Sequence, residues 1–129
     1  MNIAVVAHDN KKADIVAFVL KRIDFFKRKD IKIISTGTTG THMQHAGLEN
    51  VECLKSGPLG GDAQIASRLV EGKVDAVIFF IDPLYSHVHE VDIHMLMRLC
   101  NVYDIPLVTN YATASYLIKG LKYEQNKAK

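Results

Sequence analysis

Val74-Asp75-Ala76-Val77-Ile78-Phe79-Phe80-Ile81 is the most apolar run in the chain. It is rich in β-branched and aromatic residues, and it stops at Asp82-Pro83, a turn-forming pair. Continuous apolar character over strand length describes a strand covered on both faces, as in parallel sheets. Residues 74–81 are therefore expected to form the central strand. The same run is far too short to cross a bilayer.

Working outward, short β-rich runs alternate with longer helical ones. Asn2–Ala7 reads as a second buried strand, with further strands at residues 31–35, Val51–Leu54 and 105–109. Residues 11–28 place Ile15, Val16, Val19, Leu20 and Ile23 on one helical stripe opposite Lys and Arg. A short helix over residues 41–46 ends at Gly47, and another runs from Asp62, read as its N-cap, to Gly72. Its inward set is Ile65, Ala66, Leu69 and Val70, and that of the next helix is Ile93, Leu96, Met97 and Cys100. The last helix spans residues 112–121, and residues 122–129 are expected to be a polar, frayed tail. Strand–helix alternation predicts right-handed βαβ units: a three-layer α/β/α fold on a five-stranded, mostly parallel sheet.

The 129 residues suit one domain, here residues 1–121 followed by the tail. A net charge of +2 does not suggest a polyanionic partner such as nucleic acid, and the basic run over residues 11–32 reads as a solvated helix face. The first residues lack a basic n-region and a small-residue cleavage site. Cys53 and Cys100 sit in apolar contexts without Cys-x-x-Cys spacing and are expected to be reduced and buried. A cytoplasmic protein with no membrane contact is the expectation.

Ligands of open parallel sheets bind beyond the carboxyl ends of the strands. The segments that fall there are His8-Asp9, Thr36-Gly37-Thr38-Thr39-Gly40, residues 55–62, residues 82–92 and Thr109-Asn110. The Thr36–Gly40 run offers two glycines, three hydroxyls and a following helix N-terminus, a combination that holds one phosphate. It lacks the Gly-Lys-Ser/Thr ending of a Walker loop and does not fit G-x-G-x-x-G. A plain strand-to-helix turn is its bland alternative. Residues 56–61 form a second glycine-rich loop, and Lys12 lies one turn beyond His8-Asp9, as a ligand or as a surface lysine.

Asp9, Asp62, Asp82 and Asp92 share this edge, and spacing alone does not rank them. Asp62 is a general base beside a phosphate or simply a cap; Asp9 and Asp82 are equally well turn formers. His87-x-His89 with Asp92 carries only a weak metal signal. His89 with Asp92 three residues on fits better as an imidazole oriented by a carboxylate. His42 and His45 are expected on the surface.

Together these loops resemble the methylglyoxal synthase family. The resemblance rests on Ala7-His8-Asp9-x-x-Lys12, Thr36-Gly37-Thr38-Thr39-Gly40, Ser56-Gly57-Pro58-Leu59-Gly60-Gly61-Asp62, Phe79-Phe80-x-Asp82-Pro83-Leu84 and His89-x-x-Asp92. It runs from the first strand to about Ile118, and Ser-Gly-Pro-x-Gly-Gly-Asp is its specific part. It implies a lyase that eliminates phosphate from dihydroxyacetone phosphate through an enediolate, without metal or cofactor, in a homohexamer. By the same resemblance Lys12, Thr36, Thr38, Thr39, Ser56 and Gly57 hold the substrate phosphate. Asp62 is the base, His89 acts at the carbonyl oxygen, Asp92 orients His89, and His8, Asp9 and Asp82 line the site. Departures from the family pattern are Ala63 in place of a usual Gln, Ser86-His87, and no Arg beyond Lys122. A regulatory, non-catalytic phosphate-binding domain of the same fold is the competing expectation, and a small phospho-metabolite sensor is a third.

Overall fold

The computed structural model describes residues 1–84 and 93–127. Five strands alternate with helices: β1 (Asn2–Ala7), β2 (Lys32–Thr36), β3 (Val51–Leu54), β4 (Ala76–Phe80) and β5 (Leu107–Val108). The helices are α1 (Lys12–Leu20), α2 (Ile23–Phe26), α3 (Gly37–His45), α4 (Gly61–Val70), α5 (Ile93–Val102) and α6 (Tyr111–Lys127). Two 3-10 turns, Asp9–Lys11 and Gly57–Leu59, precede α1 and α4. The strands lie in the order β3-β2-β1-β4-β5, and every pairing is parallel; the central place expected for residues 74–81 belongs to β1, with β4 beside it.

Side-chain alternation along β1 divides the core. Ile3, Val5 and Ala7 join Phe18, Phe25, Phe26, Met43 and Ile118 on one face, under α1, α2, α3 and α6. Ala4 and Val6 join Ile65, Leu69, Phe79, Leu96 and Cys100 on the other, under α4 and α5. Both faces are therefore dry, the condition for the continuous apolar runs of β1 and β4. Phe18, Phe25, Phe26 and Phe79 are fully buried, each contributing roughly 1.5–3 kcal/mol of hydrophobic stabilisation.

The chain builds β2 and β3 to one side of β1, then crosses to place β4 on the other. The order reverses between β1 and β4, so their carboxyl ends flank the crevice where such sheets bind ligands.

Several sequence expectations need correction. The single helix over residues 11–28 breaks after Leu20, because Arg22 leaves helical geometry (φ −119°, ψ 31°). Its guanidinium folds back, donating to the Phe18 carbonyl at 3.2 Å and to Ser115 Oγ at 2.7 Å. Helix α3 starts at Gly37, so Thr36–Gly40 is mostly a helical first turn rather than a loop ahead of a helix. Asp62 is not the N-cap of α4; that place belongs to Gly60, whose φ of +104° favours glycine. Val70 and Met97 are exposed rather than inward. Cys53 is exposed on the edge strand β3, while Cys100 is buried. The expected tail is helical as far as Lys127, tied back by Arg28 Nη1 donating to Gln125 Oε1 and Gln125 Nε2 donating to Asp30 Oδ2 at 3.1 Å. The strand expected at residues 105–109 shortens to Leu107–Val108.

Candidate functional site

The end of β1 meets the end of β4 through His8. Its backbone N–H donates to the Phe80 carbonyl at 3.1 Å, extending the β1–β4 ladder by one bond. Its side chain is buried, with the ring edge-on to Phe79 at 5.1 Å. The Asp82 backbone N–H donates to His8 Nδ1 at 2.9 Å. Asp82 in turn accepts from Asn10 Nδ2 at 3.0 Å and from the Leu84 backbone N–H at 3.1 Å. Those two bonds, Asn10 first, hold the Asp82 carboxyl below the usual carboxylate range.

The 3-10 turn after His8 sends Lys12 across to β2's end. Lys12 Nζ lies 3.0 Å from Asp9 Oδ1 and donates to Thr38 Oγ1 at 3.0 Å. A flexible ammonium is thereby pinned over the first turn of α3. The amide N–H groups of that turn have no partner within the helix, and the positive end of the helix dipole lies there. Thr36 and Thr39 are buried, and Thr38 is exposed.

The second glycine-rich loop packs directly against the first. A Cβ added at Gly37 would stand 3.2 Å from Ser56 Cβ, so the ends of β2 and β3 are in contact. At Gly61 a Cβ would stand 1.9 Å from the Lys55 carbonyl oxygen and 2.9 Å from the Thr36 methyl, leaving no room for a side chain. The Gly61 N–H donates to the Ser56 carbonyl at 2.9 Å, closing the loop. Asp62, the next residue, is partly buried in the first turn of α4, and its Oδ1 accepts from the Ala63 N–H at 2.9 Å.

Of the residues singled out in the sequence, Lys12 is bonded to both Asp9 and Thr38, and His8 is bonded to Asp82. Thr36, Ser56 and Gly57 stand at the neighbouring loop ends, with Asp62 at the start of α4. His87, His89 and Asp92 lie outside the described residues. Among the described residues no three His, Cys, Asp or Glu side chains group as metal ligands would. Asn10 carries no signal in the sequence: it occupies an unspecified position of His8-Asp9-x-x-Lys12, and only the fold brings it to Asp82.

These features define a class: an α/β domain whose strand ends gather two glycine-rich loops, a helix N-terminus and one lysine on one edge. The family model described as "MGS-like domain" matches residues 18–109, and the chain belongs to this methylglyoxal synthase family. It is 51% identical over 120 residues to the methylglyoxal synthase of Borreliella afzelii, covering 93% of either chain. To the methylglyoxal synthase of Clostridium beijerinckii it is 48% identical over 120 residues, 92% of this chain and 98% of that one. The crystal structure of methylglyoxal synthase from Elizabethkingia anophelis superposes with a TM-score of 0.84 at 40% identity, over 91% of this chain and 76% of that one.

Proposed function

We propose that this chain is a lyase that converts dihydroxyacetone phosphate to methylglyoxal and inorganic phosphate. The observation that carries the reading is Lys12 Nζ, held by Asp9 and Thr38 over the start of α3, beside the loop that delivers Asp62. The near-complete overlap with two chains named methylglyoxal synthase supports it.

The α3 first turn, the Ser56-Gly57 backbone and Lys12 bind the phosphate as a dianion. Asp62 removes a proton from the carbon beside the carbonyl, and the electron pair left behind forms an enediolate. His89, oriented by Asp92, offsets the charge on oxygen. Collapse of the enediolate breaks the C–O bond to phosphate, and the phosphate leaves into the donors that already hold it. The enol that remains gives up its hydroxyl proton, takes a proton on carbon and becomes methylglyoxal. An isomerase shares the first step but must suppress the second. Holding the C–O bond perpendicular to the enediolate plane lets its antibonding orbital overlap the enediolate π system and so favours elimination.

A homohexamer and a cytoplasmic location belong to the same proposal; light scattering of the purified chain tests the first. Among the described residues no helix is long and apolar enough to cross a membrane.

The reaction is tested by incubating purified protein with dihydroxyacetone phosphate and measuring methylglyoxal and phosphate, with Asp62→Asn as the control. Equimolar products from wild type alone, with phosphate binding retained in the variant, are expected. Phosphate binding without product release above the control sinks the lyase reading in favour of a binding module.

A further inference from the structure

The segments that follow β1 and β4 are joined by a chain of bonds that the proposed chemistry leaves unused. Asn10 Nδ2 donates to Asp82 Oδ2 at 3.0 Å, and the Asp82 backbone N–H donates to His8 Nδ1 at 2.9 Å. The other Asp82 oxygen accepts from the Leu84 N–H at 3.1 Å, so the carboxylate is held from two sides. Each direction is set by chemistry: a carboxylate and a carbonyl oxygen cannot bond, so the Asn10 amide nitrogen faces Asp82. A backbone N–H is always a donor, so the His8 nitrogen that faces it carries no proton. In neutral His8 the ring proton therefore sits on Nε2, and the imidazole is a donor on that side.

We propose that Asn10 is a positioning residue for this site: by anchoring Asp82 it aims the Asp82 N–H at His8 and so keeps His8 in its Nε2–H form. The inference rests on the lyase reading only for its effect on turnover. Asn10 lies in the 3-10 turn Asp9–Lys11, exposed and outside the core, so its replacement leaves the packing of both faces intact. Without the amide, the Asp82 carboxylate keeps, among the described residues, its Leu84 bond, and the hold that aims its backbone N–H at His8 loosens. A carboxylate at position 10 does more, since two like charges at hydrogen-bond distance repel. Losing a hydrogen bond to a charged group corresponds to about a tenfold effect or more where that bond orients reacting groups.

The test combines nitrogen NMR of 15N-histidine-labelled protein with steady-state kinetics on dihydroxyacetone phosphate, for wild type, Asn10→Ala and Asn10→Asp. Wild type is expected to show an unprotonated Nδ1 and a protonated Nε2 at His8, assigned by loss of the signal in His8→Gln. Both variants are expected to show mixed tautomers, and kcat/KM is expected to fall about tenfold in Asn10→Ala and further in Asn10→Asp. A protonated Nδ1 in neutral wild-type His8 overturns the proposal. So does an unchanged tautomer in both variants, whatever their turnover, or mixed tautomers with kcat/KM within about twofold of wild type. Absence of turnover in wild type overturns the lyase reading instead, and the NMR spectra alone then decide the role of Asn10.

Discussion

Lys12 and Thr38, 26 positions apart, meet where Lys12 Nζ donates to Thr38 Oγ1 at 3.0 Å. The bond joins the turn after β1 to the first turn of α3 and sets the ammonium at the end of that helix whose amides have no partner within it. Asp9, at 3.0 Å, shares it. Replacing Lys12 by Met keeps the stem and removes the charge. Charge-assisted hydrogen bonds contribute about 1.5–3 kcal/mol, so phosphate affinity measured by calorimetry is expected to fall roughly 10- to 100-fold. Unchanged affinity would remove Lys12 from the anion site.

Glu52 on β3 lies between Arg68 of α4 and Lys32 of β2, with Lys32 Nζ 2.8 Å from Oε1. The Arg68 hydrogen bond, followed by that of Lys32, lowers its pKa from 4.5 to about 2. A carboxylate depressed in the folded state adds stability that is present above its unfolded pKa and lost as pH falls through its folded one. The window here is pH 4.5 down to about 2. The side chain is 31% exposed, so solvent screening reduces the gain to roughly 1 kcal/mol. Urea unfolding from pH 6 to pH 2 is expected to show a shallower acid loss in Glu52→Gln than in wild type; parallel curves would refute the assignment.

Gly61 and Gly120 should respond in opposite directions to alanine. At Gly61 the new Cβ would stand 1.9 Å from the Lys55 carbonyl oxygen, a backbone atom that cannot step aside. Destabilisation of about 3 kcal/mol or more, with loss of activity, is expected. At Gly120, within α6, nothing lies within 4 Å. There alanine removes unfolded-state freedom and is expected to add about 0.5–1 kcal/mol. Thermal denaturation of both variants checks the pair, and a midpoint for Gly61→Ala at or above wild type would contradict it.

Arg22 sits 4.0 Å above the Phe18 ring and bonds to the Phe18 carbonyl, Tyr111 Oη and Ser115 Oγ. It thereby rivets α6 to the end of α1, and its hydrogen bond keeps the Tyr111 hydroxyl below its usual pKa. Lysine lacks the planar fork, so Arg22→Lys is expected to cost about 1–2 kcal/mol, close to Arg22→Ala. Amide exchange along α6 should quicken in both variants; full protection in Arg22→Lys would show that charge alone suffices.

The two cysteines should separate under a thiol reagent. Cys53 is exposed, whereas Cys100 is 3% exposed and burial pushes its thiol pKa up. One equivalent is expected to react in native buffer and a second only in denaturant. Two fast equivalents would contradict the packing of α5 against the sheet.

The sequence by itself determined the layer architecture and the edge on which the polar residues gather. Both follow from local rules: continuous apolar runs require a sheet covered on both faces, and strands alternating with helices require parallel crossovers. The apolar stripe over residues 11–28 did not show that the helix would break at Arg22, whose guanidinium in the folded chain reaches Tyr111 and Ser115 of α6, about 90 positions away. Cys53 looked buried for a similar reason: apolar neighbours in sequence do not reveal that β3 is an edge strand. The strand-to-helix turn at Thr36-Gly37-Thr38-Thr39-Gly40, proposed to hold phosphate, was legible because glycine and hydroxyl chemistry there is local. Only the tertiary structure decided which groups meet across it. Lys12 reaches Thr38, Asn10 reaches Asp82, and His8 Nδ1 receives the Asp82 N–H, because parallel packing of β1 between β2 and β4 brings distant strand ends side by side.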